Sequence, residues 1–393
     1  MTDCCIIGGG VVGLSIAREL AGRGHTVRVI ARGTGDATTS WAAAGILPPA
    51  PTYPGMPAGA ALTAWCDGVL RAWARDLEAE TGIDVGLREC GGLHVAATDS
   101  ALARLRATAA TWRSQGARCE WLDAPDLAAR EPALAQAVSA RRLLGGFLLP
   151  EELQIRPSRL LDALEASCTR RGVMITPAEV TGIDVAGGRV NGVAVRAGGA
   201  MGTVAAVRVV LAAGAWTEQL AAALGVHVET RPIRGQIVLL RLGRQVLGRV
   251  VNRGLDYLVP RDDGRLLVGS TLEDVGFEPA TTPATIDRLR GVARDLLGDV
   301  ADAPVERAWA GLRPGSADGL PTIGSVPGIA NAYVAAGHFR AGIHQSAGTA
   351  VLVADLVEGR PPALDLAAFA ADRPPAPPGP DSVAAYLARA AAE

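Results

Sequence analysis

Residues 3–7 form a short apolar run, after which the apolar positions shift to helical spacing. Leu14, Ala17 and Ala21 recur three and four apart, with Ile16 and Leu20 widening the stripe, which predicts an amphipathic helix. Gly24 follows Arg23 where a helix C-cap would fall, and residues 25–30 alternate into a second strand. Between the first run and the helix stands GGGVVG, so the order is strand, glycine turn, helix, strand. The loop TTSWAAAGILPPAP follows, and a proline cluster over 48–57 marks a boundary or a flexible segment.

Farther along, the pattern predicts helices over 61–80, 101–115 and 159–171 and strands over 90–97 and 204–213. Residues 180–195 read as two strands joined by the glycine turn of AGGRVNG. From 231 to 270 the chain is strand-rich, and Asp263-Gly264 between two apolar runs predicts a hairpin. A last apolar helix is predicted over 348–357. The proline-rich stretch 361–380 is expected to wrap the surface or stay partly disordered. Helices and strands alternate early, and strands cluster later. That predicts an α/β protein in which a Rossmann-like dinucleotide-binding domain is interleaved with an antiparallel-sheet domain.

Composition narrows the class. The 393 residues suffice for two domains, and 49% hydrophobic with 20% charged content is ordinary for a compact soluble protein. A net charge of -2 provides no basic field for nucleic acid. All basic residues are arginine, a composition that GC-rich codon usage explains. The six cysteines show no C-x-x-C spacing, so a reducing compartment is favoured over a disulfide framework. The five histidines show no metal spacing, and no metal site is expected. The apolar stretch 4–17 lacks a basic leader and is broken by four glycines, unlike a signal peptide or a membrane span. A cytoplasmic location is expected.

Gly8, Gly10 and Gly13 supply G-x-G-x-x-G between a strand and a helix. The first glycine permits the tight turn, the second lets backbone approach a pyrophosphate, and the third lets helix and strand pack closely. The helix start offers unpaired N–H groups to the phosphates. An acidic residue normally closes the second strand and takes the ribose hydroxyls; here Ala31 stands there, followed by Arg32. An arginine at that point leaves a 2′-phosphate, and hence NADP, open.

Four separated stretches extend the picture: SWAAAGIL at 40–47, VLAAGAW at 210–216, WAGLRPGSADGLPTIG at 309–324 and AAGHFRAGI at 335–343. In this order they resemble the D-amino-acid-oxidase-like family of FAD amine oxidoreductases, its glycine-oxidising members above all. The resemblance implies a Rossmann-like FAD-binding domain interleaved with an α+β substrate domain on an antiparallel sheet. Residues 1–84, 153–228 and 304–365 are expected in the FAD-binding domain and 85–152 and 229–303 in the substrate domain. Residues 366–393 are expected to form a proline-rich C-terminal tail.

The family's motifs imply roles for residues of this chain. Gly8, Gly10, Val11, Val12 and Gly13 would face FAD, with Arg32 near its ribose. Ser40, Ala42, Ala43, Ala44 and Gly45 would line the flavin and ribityl chain. Val180 would hold adenine through its backbone, and Ala213 and Gly214, with Trp216 beside them, would form a second FAD contact. Ala341, Gly342 and Ile343 would present helix-start N–H groups to the flavin edge, next to His338. Arg313 would grip the substrate carboxylate, helped by Tyr257, with Arg340 close to the same anion. From the residues alone, Arg313 could instead pair with Asp318 and Tyr257 could be a packed strand tyrosine. His344 and Gln345 depart from the family pattern and are expected either near the flavin or facing solvent. Leu272 stands at a pocket position.

The chemistry implied by the resemblance is oxidation of glycine, a small amine or a D-amino acid. The Cα hydride would pass to flavin, the imine would hydrolyse, and O2 would return as H2O2. Relatives that bond flavin covalently use a cysteine in the C-terminal half or a histidine beside the N-terminal tryptophan; here no cysteine follows Cys168 and Trp41 is flanked by Ser40 and Ala42, so the resemblance implies non-covalent FAD. The expected partners are a small amino-acid or amine substrate and O2, with homo-oligomerisation left open. A dehydrogenase using a non-oxygen acceptor, an NADP-dependent reductase and a flavoprotein without turnover are the alternatives.

Overall fold

The computed structural model describes residues 2–33 and 38–392. The apolar opening run is the strand Thr2–Ile7, and it lies inside a six-stranded sheet. Its neighbours are Val27–Ala31 on one side and Ala206–Leu211 on the other, both parallel, with Ile6 opposite Val29 and Val210. Cys4, Cys5 and Ile6 are fully buried because both faces of the sheet are covered, which explains a continuous apolar run where a one-sided strand would alternate. Met174–Pro177 and Ala332–Ala336 extend the sheet in parallel, and Thr322–Ser325 closes one edge antiparallel.

One face of this sheet is covered by helices. Leu14 and Leu20 of Val11–Gly22, Leu70 and Leu77 of Ala58–Thr81, Leu160 and Leu164 of Pro157–Arg170, and Ala347, Ala350 and Ala354 of Gly342–Val357 share one core. The first helix ends as its sequence predicts. Gly24 takes a φ of 92° and donates to the Ala21 carbonyl while His25 donates to that of Leu20, a Schellman cap. The other face carries a three-stranded sheet, Glu179–Ala186, Arg189–Ala197 and Ala200–Val204; its last strand had no distinct signal in the sequence.

The second layer is an eight-stranded sheet in the order Val305–Gly315, Arg231–Arg241, Arg265–Gly269, Asp256–Pro260, Val250–Arg253, Gly92–Ala96, Gly145–Leu149 and Glu120–Asp123. Every pairing is antiparallel except that between Val250–Arg253 and Gly92–Ala96. Asp263-Gly264 turns between two of its strands with Gly264 at a φ of 76°, the expected hairpin. The fold class read from the sequence is thus the fold observed.

Three segments differ from expectation. Residues 305–315, assigned to the cofactor portion, pair along Arg231–Arg241 and belong to the eight-stranded sheet. The late helix starts at Gly342, six residues before the predicted start at 348, because polar His344, Gln345 and Ser346 are buried within it. The tail is ordered beyond its prolines into a terminal helix, Val383–Ala392, docked through Val383 against Ile233 and Phe339.

Candidate functional site

A cavity of about 580 Å³ runs from the glycine turn to the eight-stranded sheet. Gly8, Gly10, Val11, Val12, Arg32, Ser40, Ala42, Ala43, Ala44, Gly45, Val180, Ala213, Gly214, Trp216, His338, Gly342 and Ile343 line it. Tyr257, Arg313 and Arg340 line it too. Of the residues expected to touch cofactor or substrate carboxylate, Gly13 and Ala341 do not. A Cβ at Gly13 would collide with the Gly8 carbonyl, so this glycine serves helix–strand packing. Ala341 turns its N–H to the His338 carbonyl at 2.8 Å and caps the late helix.

The turn is shaped for a close ligand. Gly8 has a φ of 124°, and a Cβ there would strike the Ala212 carbonyl. Ser40 faces the cavity, but its Oγ also accepts the Val11 N–H at 3.0 Å, satisfying a donor of the helix start from another loop. The late helix likewise begins at the cavity wall, so two helix N-termini point positive ends into one space. This backbone cradle fits the pyrophosphate and flavin of a dinucleotide without any charged side chain at the turn.

At the end of the second strand, Ala31 is buried and the Arg32 guanidinium stacks on Trp216, 4.2 Å from the ring centroid. Glu179, the one carboxylate among the described lining residues, opens the strand Glu179–Ala186 of the three-stranded sheet and is paired with Arg196. Sequence inspection missed it because it follows a different strand from the usual acidic residue.

The opposite end is cationic. Arg313, on Val305–Gly315, donates to the Thr271 carbonyl at 3.1 Å and to Ser270 Oγ at 3.0 Å, both neutral acceptors. Asp318, its alternative partner, is taken by Arg373 at 2.8 Å. Burial lowers the Arg313 pKa from its usual value, and the like charge of Arg340 acts the same way. Space for the guanidinium comes from Gly235 on the adjacent strand, where any Cβ would overlap it. Gly269 does the same for Tyr257, whose ring atoms lie 2.6 Å from a Cβ built there. These strand glycines, to which the sequence analysis gave no role, were the missed signal.

The loop 39–45 is held from the eight-stranded sheet. Trp309 Nε1 donates to the Ala42 carbonyl at 3.1 Å, and Thr39 Oγ1 donates to that of Leu312 at 2.8 Å. Arg261, 5% exposed, donates to the carbonyls of Ala44 at 2.7 Å and Ile155 at 3.2 Å and to Gln154 Oε1 at 2.9 Å. His338 is buried against Thr349, with 3.0 Å between Nε2 and Oγ1, and burial pushes its pKa down to about 4. His344 and Gln345 are buried and line no part of the cavity: they bond to Asp67 and Thr63 of the helix Ala58–Thr81, at 2.8 and 2.9 Å. Leu272 packs beside Ile233 and Phe339 outside the cavity lining.

An elongated cavity with a phosphate turn at one end and two guanidiniums at the other suits a redox dinucleotide laid against an anionic substrate, as in dinucleotide-dependent oxidoreductases. The chain belongs to the DAO family of FAD dependent oxidoreductases, whose family model matches residues 3–356, and FAD is its cofactor. It is 34% identical over 372 residues to a glycine oxidase of Pseudomonas aeruginosa, covering 93% of this chain and 97% of that protein. Its fold is similar to the crystal structure of glycine oxidase from Geobacillus kaustophilus, with a TM-score of 0.86, 33% identity, and 95% and 99% of the two chains covered. Glycine oxidase from Bacillus cereus gives a TM-score of 0.82 at 28% identity, over 91% and 95% of the chains. Among the described residues no helix is long and apolar enough to cross a membrane.

Proposed function

We propose that this enzyme oxidatively deaminates glycine or another small amine or D-amino acid bearing a carboxylate, with O2 as the electron acceptor. The observation that carries the reading is Arg313: a guanidinium lining the cavity, bonded only to neutral acceptors, with a second guanidinium on the same lining. Two parallel charge-assisted bonds from Arg313 would fix a carboxylate, and Tyr257 and Arg340 would complete its seat. FAD held here would supply a two-electron acceptor for the Cα hydride and a route for those electrons, with two protons, to O2 as H2O2, while water would hydrolyse the imine to the oxo acid and ammonia.

The protein's own work is orientation. Trp309 and Arg261 hold the loop of Ala42 and Ala44 at the cavity wall, and the two helix starts offer N–H groups to phosphate and flavin oxygens. His338 stays neutral near pH 7 and is spent on Thr349, so no charged acid–base residue is asked of it. No cysteine is among the described residues that line the cavity, which supports non-covalent binding of FAD.

The test is to purify the protein, record its visible spectrum and follow peroxide with glycine, sarcosine and a D-amino-acid panel. A yellow protein releasing peroxide with one of these is expected, and acid precipitation should free the colour. Reduction of the flavin by substrate with no peroxide in air would replace the oxidase with a dehydrogenase. Absence of flavin reduction by every carboxylated amine would overturn the reading.

A further inference from the structure

We propose that Tyr386, on the terminal helix Val383–Ala392, is a positioning residue that holds Arg340 for the substrate carboxylate. The proposal rests on the reading that a carboxylate occupies the Arg313 end of the cavity. It concerns a segment outside the family model, which ends at residue 356.

Arg340 is exposed at the cavity rim, and no described carboxylate pairs with it. Its guanidinium instead lies over the Tyr386 ring, 4.6 Å from the centroid. A long cation at a rim samples many rotamers, and an aromatic face restricts it without neutralising its charge, unlike a salt-bridge partner. Held this way, Arg340 keeps its donors for an incoming anion. The same ring meets Phe339 edge-on, with centroids 5.5 Å apart and planes at 72°. Phe339 also lines the cavity, and its φ of 45° is a left-handed value that aromatic residues rarely adopt. Its N–H bonds to the Pro314 carbonyl at 3.0 Å, one residue from Arg313. Tyr386 therefore braces two consecutive wall residues at once.

The helix is built into the site. Val383 is 3% exposed, and a Cβ on Gly315 would overlap its side chain. A Cβ on Gly319 would lie 2.6 Å from the Asp381 backbone. Both glycines belong to the stretch that follows Arg313, so the strand presenting the first guanidinium also makes room for the helix that holds the second. Arg389 stacks on Tyr386 as well, 4.1 Å from the centroid, which fixes the ring on its own helix.

The experiment compares Tyr386→Phe, which keeps the aromatic face, with Tyr386→Leu, which keeps apolar bulk and removes it. FAD-loaded enzyme is titrated with acetate, read by the change in flavin absorbance, and KM is measured for the best amine substrate. Tyr386→Phe should match the parent. Tyr386→Leu should weaken acetate and raise KM about threefold to tenfold, with kcat held within about twofold. In an Arg340→Met background the same replacement should change neither. If Tyr386→Leu binds acetate as the parent does, or loses the same factor without Arg340, the proposal is overturned. A parent enzyme that binds no carboxylate at all would instead overturn the functional reading, and this inference with it.

Discussion

Arg313 reaches the cavity because Gly235 leaves an empty place beneath it, and its own bonds to Ser270 and Thr271 fix the plane of the guanidinium with no carboxylate bonded to it. Replacing Arg313 with alanine should cut kcat/KM for carboxylated amines by about 100-fold or more, the scale of a lost charge-assisted pair, with FAD still bound. Steady-state kinetics on the yellow variant check this; unchanged kinetics would remove Arg313 from the substrate. His338 gives a stability prediction. Burial lowers its folded pKa to about 4 from 6.5, so between those values the unfolded chain binds a proton that the folded chain refuses. Its contribution is complete above about pH 6.5 and is lost as pH falls through about 4, at most on the order of 3 kcal/mol. His338→Gln should therefore melt with a shallower dependence on pH between 7 and 4 than the parent. Parallel melting curves would show that the imidazole is not what titrates.

Among elements, the turn from Thr2–Ile7 into Val11–Gly22 was the most legible in the sequence, since its geometry depends on local backbone. Gly8, Gly13 and Gly24 each stand where a Cβ or a right-handed φ would fail, and each was read correctly. Gly13→Ala should push helix from strand at the Gly8 carbonyl and yield protein purified with little or no flavin, measured by the ratio of absorbance at 450 nm to that at 280 nm. Strand glycines were less legible because their reason lies across the sheet. Gly235 faces Gly311 in register and shelters the side chain of Arg313, a relation that no local spacing encodes. Gly235→Ala is expected to displace that guanidinium and lower kcat/KM by at least tenfold while leaving flavin content and far-UV circular dichroism unchanged. Periodicity misjudged the start of the late helix for a related reason, although the resemblance placed a helix start at Ala341 and Gly342. His344 and Gln345 look solvent-facing in one dimension, but Asp67 and Thr63 arrive from some 280 residues away to satisfy them.

At the scale of the molecule, the two sheets were foreseen and the ties between them were not. Arg261 sits beside the predicted hairpin turn, where an arginine reads as an exposed loop residue. In the fold it is buried and bonded to the backbone of both the loop at Ala44 and the segment at Ile155 that leads into the helix Pro157–Arg170. Arg261→Met should preserve much of its packing and leave those carbonyls unmatched. The expected outcome is a loss of about 2–3 kcal/mol in stability and weaker FAD retention on dilution, both readable by flavin fluorescence during thermal unfolding. If the variant holds FAD as tightly as the parent, the loop does not depend on this tie.

The order of strands in the parallel sheet bears on how the chain is made. Thr2–Ile7 is synthesised before both of its neighbours, Val27–Ala31 and Ala206–Leu211, and sits between them; beyond the latter lies Ala332–Ala336. One flank can pair within the first turns of synthesis, whereas the other must wait some 200 residues for its neighbour. Through that interval an apolar strand presents an open edge, the kind of surface that chaperones shield and that aggregates form upon. Yield in a host should therefore respond to translation speed and chaperone supply more than to the stability of the finished enzyme.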